Sequence, residues 1–237
     1  MISCNDVVVV VPHYSYTKNI PSIVSELREN FDIILVNDGC SSLQYDGITI
    51  LKTDGVGFSQ AVNVALSYAQ SQGKKWGFIL NDDAFISNSS LMSIVSNLEG
   101  NSLYAPVVVS ENKKCYGFDV SFWGRVNEIR NRNKKPKALC GAALLMPTWI
   151  RFDSNFVHGM EDVELSLRAQ RLGMAIHTCE KVFAFHKEGE TISKQSYEAQ
   201  RAACFWTNVL VSELRFFCRY FIVSTDTQRR IKQDLKI

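Results

Sequence analysis

Short apolar runs bounded by polar breaks recur along the first half of the chain: Val7-Val8-Val9-Val10-Val11, Ile33-Ile34-Leu35-Val36, Phe78-Ile79-Leu80 and residues 104–109. Runs of this length, rich in β-branched residues, predict strands buried on both faces. Between them the apolar spacing changes to that of amphipathic helices. Residues 20–30 carry Pro21 near the start, and residues 58–69 set Phe58, Val62, Ala65, Leu66 and Ala69 on one face. The order β-α-β-β-α-β-α-β predicts an α/β chain with a Rossmann-like, mostly parallel central sheet flanked by helices. The functional residues of such a sheet lie in loops at its carboxyl edge.

Further along, residues 139–146 predict another strand, 161–172 a helix stopped by Gly173, and 182–185 a strand. Residues 194–223 read as a long helix, with Phe205, Trp206, Val209, Leu210, Leu214, Phe217, Tyr220 and Phe221 on one broad face and Arg215 and Arg219 opposite. That face has to be covered by the main domain, by a second copy in a homo-oligomer, or by a membrane surface. The basic run Arg229-Arg230-Ile231-Lys232 keeps peripheral membrane contact among the readings. The pattern divides into an α/β domain over residues 1–190 and a C-terminal helical extension over 191–237.

Composition narrows the class. A chain of 237 residues with 46% hydrophobic content can bury a substantial core. A net charge of +2 is too mild to indicate nucleic acid, although lysine and arginine cluster in the polar stretch 110–137. The seven cysteines form no Cys-x-x-Cys pair, which suggests neither a zinc site nor a disulfide framework and suits a reducing cytoplasm. The start lacks the basic residues and long apolar core of an export signal, and no stretch reaches the ~18 uninterrupted apolar residues of a membrane span.

The candidate chemistry sits where strands end. Asn81-Asp82-Asp83 follows the apolar run Trp76-Gly77-Phe78-Ile79-Leu80. It reads as a turn or, at the carboxyl edge of an open sheet, as a cation site holding phosphate oxygens. Pro12-His13-Tyr14 follows the first strand and Asn37-Asp38-Gly39 the second, so a ring, exposed backbone and one carboxylate lie side by side. A carboxylate there can accept the imide N–H of a uracil or thymine. Glu161-Asp162 opens a helix, where acidic residues also serve as caps. His186 ends a strand, as a structural residue or as an imidazole ligand for a divalent metal.

Taken in order, these segments resemble a family 2 glycosyltransferase with the GT-A fold. Pro12-His13-Tyr14 is similar to the turn after that family's first strand, and Asp38 to its base-reading aspartate. The segment from Gly57-Phe58 to Asn63 resembles Gly-Phe-x-x-x-x-Asn, and Asn81-Asp82-Asp83 stands in the place of Asp-x-Asp. Cys140-Gly141-Ala142-Ala143-Leu144-Leu145 resembles the small-residue strand on the acceptor side. Glu161-Asp162-Val163-Glu164-Leu165 with Arg168 is similar to Glu-Asp-x-Asp-Leu-x-x-Arg, and His186 with Gly189 to the late His-x-x-Gly. Asn81 replaces the first aspartate of the metal motif, and Ser59-Gln60-Ala61 replaces the glycines often found after the phenylalanine.

The resemblance implies an inverting hexosyl transfer from a UDP or dTDP sugar to an acceptor hydroxyl. It extends to rhamnosyltransferase-like enzymes of bacterial surface polysaccharide, acting on a glycan or lipid-linked glycan acceptor at the cytoplasmic side of the membrane. Pro12, His13, Tyr14, Asp38, Asn63 and Asp82 would bind the nucleotide. Asp83 and His186 would hold Mn2+ or Mg2+, and Glu161, Gly141 and Ala142 would meet the acceptor. Asp162 would be the general base. A noncatalytic nucleotide-sugar-binding module and a sugar nucleotidyltransferase are the alternatives; the latter is expected to carry a glycine-rich basic loop where this chain has Pro12-His13-Tyr14-Ser15. A dinucleotide dehydrogenase is disfavoured, since no Gly-x-Gly-x-x-Gly follows the first strand.

Overall fold

The fold is described from a computed structural model covering residues 2–14, 19–39, 43–111, 113–121, 126–156 and 159–186. In chain order it runs β1 (Val7–His13), α1 (Ile20–Leu27), β2 (Asp32–Asp38), β3 (Thr49–Thr53), α2 (Phe58–Ser71), β4 (Trp76–Leu80), β5 (Ala84–Phe85) and α3 (Asn88–Val95). It continues through β6 (Ser102–Ser110), β7 (Lys113–Cys115), β8 (Phe118–Val120), β9 (Val126–Glu128), β10 (Ala143–Pro147), α4 (Glu161–Arg171) and β11 (Ala175–His186). The predicted alternation is present, with the two-residue β5 added after β4. The proposed helix at 194–223 and the extension 191–237 lie outside the described residues.

The main sheet has the order β3-β2-β1-β4-β10-β6-β11-β5, with β7 on β6. β3, β2, β1 and β4 are parallel, as the buried runs predict. Beyond β4 the sheet becomes mixed: β10 is antiparallel to both β4 and β6, β11 is parallel to β6, and β5 is antiparallel to β11. The expected mostly parallel sheet therefore describes one half only. Inserting β10 upside down brings the segment before it, residues 140–142, to the edge where β1, β2 and β4 end.

The valines of β1 show how the sheet is covered. Val7, Val9 and Val11 join Ile20, Ile23 and Leu27 of α1 and Leu91 and Ile94 of α3 in one core. Val8 and Val10 join Val62, Ala65 and Leu66 of α2 and Leu165 and Ala169 of α4 in another. Alternate residues of a strand face opposite sides, so an unbroken apolar run is what a two-sided core requires. Each fully buried valine contributes about 1.5–3 kcal/mol relative to leaving it in water. A third, smaller cluster of Phe118, Val120, Ala138, Phe156, Met160 and Val163 fastens the chain ahead of α4. α4 ends where expected, at Gly173 with φ +81°.

The polar stretch 110–137 contains β7, β8 and β9; Phe118, Val120 and Ile129 are buried, while most of its charged side chains stay at the surface. Lys134 and Lys137 both pair with Asp119, Arg130 pairs with Glu128, and Lys114 lies 4.9 Å over the Phe183 ring.

Candidate active site

The parallel strands bring their carboxyl ends to one edge, and the sequence-predicted residues divide there into three small assemblies. The first joins β1 to the end of β4. His13 Nδ1 lies 2.7 Å from Asp82 Oδ2, with the imidazole fully buried and the carboxylate 10% exposed. Burial pushes the Asp82 carboxyl up, the His13 hydrogen bond opposes that, and the neighbouring Asp83 charge adds to it. Asn81-Asp82-Asp83 is also a turn, because Ala84 N–H donates to Asn81 O at 3.0 Å. The turn is what aims two adjacent carboxylates in different directions, Asp82 at β1 and Asp83 at β11.

The second assembly is Asp83 with His186. Ala84 and His186 are register partners across β5 and β11, and His186 Nε2 lies 3.0 Å from Asp83 Oδ1. Two donors at this spacing suit neighbouring ligands of one hard cation, for which bonds of about 2.1 Å at right angles set donor atoms about 3 Å apart. Among the described residues no group of three or more His, Cys, Asp or Glu forms a full cage. A carboxylate and an imidazole are enough for a cation that takes its other ligands from phosphate oxygens and water.

The third assembly crosses to the antiparallel half. Asn81 N–H donates to Ala142 O at 3.0 Å, tying the end of β4 to the segment before β10. One residue earlier, Gly141 N–H donates to Asp162 Oδ2 at 2.8 Å, while Val163 N–H donates to Asp162 Oδ1 at 2.8 Å. A Cβ on Gly141 would lie 2.8 Å from Asp162 Cβ, so only glycine permits this approach. Met160, just before α4, holds φ +68°, a left-handed conformation that a methionine rarely adopts. Its burial among Phe118, Phe156 and Val163 opposes relaxation of that backbone. Next to Gly141, Cys140 is raised by its hydrogen bond to Cys115 and by burial, so a neutral thiol adjoins the Asp162 carboxylate.

Asp38 and Tyr14 flank this edge. The Asp38 carboxylate accepts from Thr53 Oγ1 at 2.7 Å, Val56 N–H at 2.8 Å and Gly57 N–H at 2.8 Å, which shapes the turn leading into α2. A carboxylate offers about four acceptor directions, so these three leave one for another donor. Tyr14 is 60% exposed, and its ring covers Gly39. Pro12 is buried within β1 opposite Val36.

Two motif residues go elsewhere. Asn63 donates from Nδ2 to Phe152 O at 2.8 Å and accepts from Phe152 N–H at 2.9 Å. Arg168 forks onto both oxygens of Glu164 and donates to Arg151 O at 2.6 Å. Burial raises the Glu164 carboxyl, and Arg168 counters it. Both motif residues thus clamp the loop at residues 151–152, the brace between α2 and α4. Sequence reasoning did not single out Thr53, and noted Ser59 only as a replacement for a glycine, whereas its Oγ donates to Phe156 O at 2.6 Å. A buried hydroxyl at the start of an apolar helix was the available signal, since such groups need an acceptor.

The family model for glycosyl transferase family 2 matches residues 8–146. Among solved structures, GalNAc-T7 in complex with UDP, GalNAc and Mn2+ is similar at 12% identity and a TM-score of 0.69, over 99% of this chain and 54% of that one. This chain therefore spans about half of that enzyme's length, and at this identity the likeness concerns the fold alone. The inositol-1-phosphate CTP transferase of T. maritima aligns at 11% identity and a TM-score of 0.47, over 84% of this chain and 96% of that one, too loosely to carry an argument. No curated protein sequence matches. The matched segment covers more than half of the chain, from β1 through β10, and includes the ends of β1, β2 and β4: the chain belongs to glycosyl transferase family 2.

Proposed function

We propose that the chain transfers a hexosyl group from a UDP or dTDP sugar to an acceptor hydroxyl with inversion at the anomeric carbon. The observation that carries this is the placement of Asp82, Asp83 and Asp162 along one sheet edge, linked through Asn81, Ala142 and Gly141. Asp38 and Tyr14 would receive the base and Asp82 the ribose hydroxyls. Asp83 and His186 would hold Mn2+ or Mg2+, which, when bound, supplies the Lewis acid that stabilises the departing diphosphate. Asp162, oriented by two main-chain N–H groups, would take the proton of the attacking hydroxyl, and Glu161 would orient the acceptor. One base and direct displacement account for inversion without a covalent enzyme intermediate.

The acceptor we infer is a glycan or lipid-linked glycan of a bacterial surface polysaccharide, met at the cytoplasmic face of the membrane. Among the described residues no helix is long and apolar enough to cross a membrane. The aromatic and basic sequence of residues 191–237 supports peripheral contact.

A thermal-shift panel of UDP, dTDP and GDP sugars, with and without Mn2+, tests the donor assignment. A UDP or dTDP sugar should raise the melting temperature, and more so with the metal, because a ligand of the native state stabilises it. Asp83→Ala should abolish the metal-dependent part. A response to GDP sugars alone would remove the role given to Asp38. Donor binding without transfer to any acceptor, or hydrolysis, would favour a noncatalytic binding module.

A further inference from the structure

We propose that His13 is a positioning residue for the donor nucleotide: without touching it, the buried imidazole fixes the Asp82 carboxylate that receives the ribose. This inference rests on the donor reading above and assigns it a residue that acts from behind the site. The imidazole is at the end of β1 with 0% side-chain exposure, so it has no open surface to offer a ligand. Among the described residues the imidazole bonds to Asp82 Oδ2, at 2.7 Å and across 69 positions of sequence. Fixing one carboxylate oxygen fixes the plane of the carboxylate, and hence the direction of the other oxygen.

The other ring nitrogen supports a functional reason for this residue. His13 Nε2 is buried with no hydrogen-bond partner among the described residues. An imidazole kept only for packing is costly in that state, since a buried polar atom without a partner loses its hydration uncompensated. An apolar side chain in the same β-branched strand would avoid that loss. What the apolar side chain could not do is orient Asp82, whose neighbour Asp83 must point the other way, toward His186.

The test compares variants that differ in where they place an N–H. In His13→Asn the carboxamide stands about where Nδ1 stands; in His13→Gln it stands about where Nε2 stands. UDP and dTDP affinities, measured by calorimetry with Mn2+ present, should fall about 10- to 100-fold in His13→Leu and His13→Gln and stay within about threefold of wild type in His13→Asn. The loss should appear in donor KM more than in kcat. In an Asp82→Ala background, His13→Leu should change affinity by no more than about twofold. The inference is overturned if His13→Leu or His13→Gln binds as wild type does, or if the His13 effect persists undiminished in Asp82→Ala. The Asn and Gln pair keeps the test decisive even where the leucine variant does not fold. A wild-type chain that binds neither UDP nor dTDP overturns the donor reading and this inference together, whereas normal wild-type binding with indifferent variants overturns this inference alone.

Discussion

The parallel half of the sheet and its antiparallel half hold their carboxylates in different ways. In the parallel half, Asp82 is oriented by the buried side chain of His13, and Asp38 by Thr53 Oγ1 with the backbone of residues 56 and 57. In the antiparallel half, Asp162 accepts the main-chain N–H groups of Gly141 and of its neighbour Val163. A carboxylate held by side chains can be adjusted by exchanging one donor for another. A carboxylate held by backbone at van der Waals contact tolerates no added atom, because the constraint is steric as well as polar. Asp82 should therefore respond to substitution in steps, and Asp162 abruptly.

The largest effect should come from the base itself. Asp162→Asn is expected to lower transfer about 10³-fold while UDP affinity stays within about twofold, read from steady-state rates and calorimetry. Transfer near the original rate would remove Asp162 from the chemistry. Next, Asp38→Ala leaves two N–H groups of the turn before α2 without their acceptor. It should cost about 3 kcal/mol in urea unfolding, with the slope unchanged. A loss below about 1 kcal/mol would show that the turn stands without the carboxylate.

Gly141→Ala sharpens the contrast most directly. Its new Cβ would meet Asp162 Cβ at 2.8 Å, so Asp162 or the segment before β10 must move. Transfer should drop about 10- to 100-fold with donor affinity retained, since small displacements of a reacting group are expensive. Equal losses in donor binding and transfer would mean that the two halves are not independent.

The smallest effect is expected far from the edge. Lys75 pairs with Asp6 at 2.9 Å, and Ser3 N–H donates to the same carboxylate, so the Asp6 carboxyl is lowered to about 2. A lowered carboxyl stabilises the fold above its unfolded value near 3.8, and that contribution disappears as pH falls through about 2. Because Lys75 is largely exposed, solvent screening limits the pair, and Asp6→Asn should cost under about 1 kcal/mol at neutral pH. The difference between the variant and wild type should close as melting is followed from about pH 5 down to pH 2.

The sequence by itself determined the alternation of buried strands and amphipathic helices, the end of α4 at Gly173 and the residues that terminate β1, β2 and β4. These are local properties: a β-branched run needs two covered faces, and a helix needs one apolar stripe, whatever the rest of the chain does. It also determined the family, because several short motifs in fixed order are jointly specific where each is weak. The tertiary structure decided which residue orients which. His13 and Asp82 are 69 positions apart, Asp38 and Gly57 are 19, and Gly141 and Asp162 are 21. Those pairings depend on strand order and above all on the reversal of β10, which no period in the chain announces. The same reason explains Asn63 and Arg168: the resemblance put Asn63 in the nucleotide site and gave Arg168 only a place in a motif, and the tertiary structure has both bracing the loop at residues 151–152.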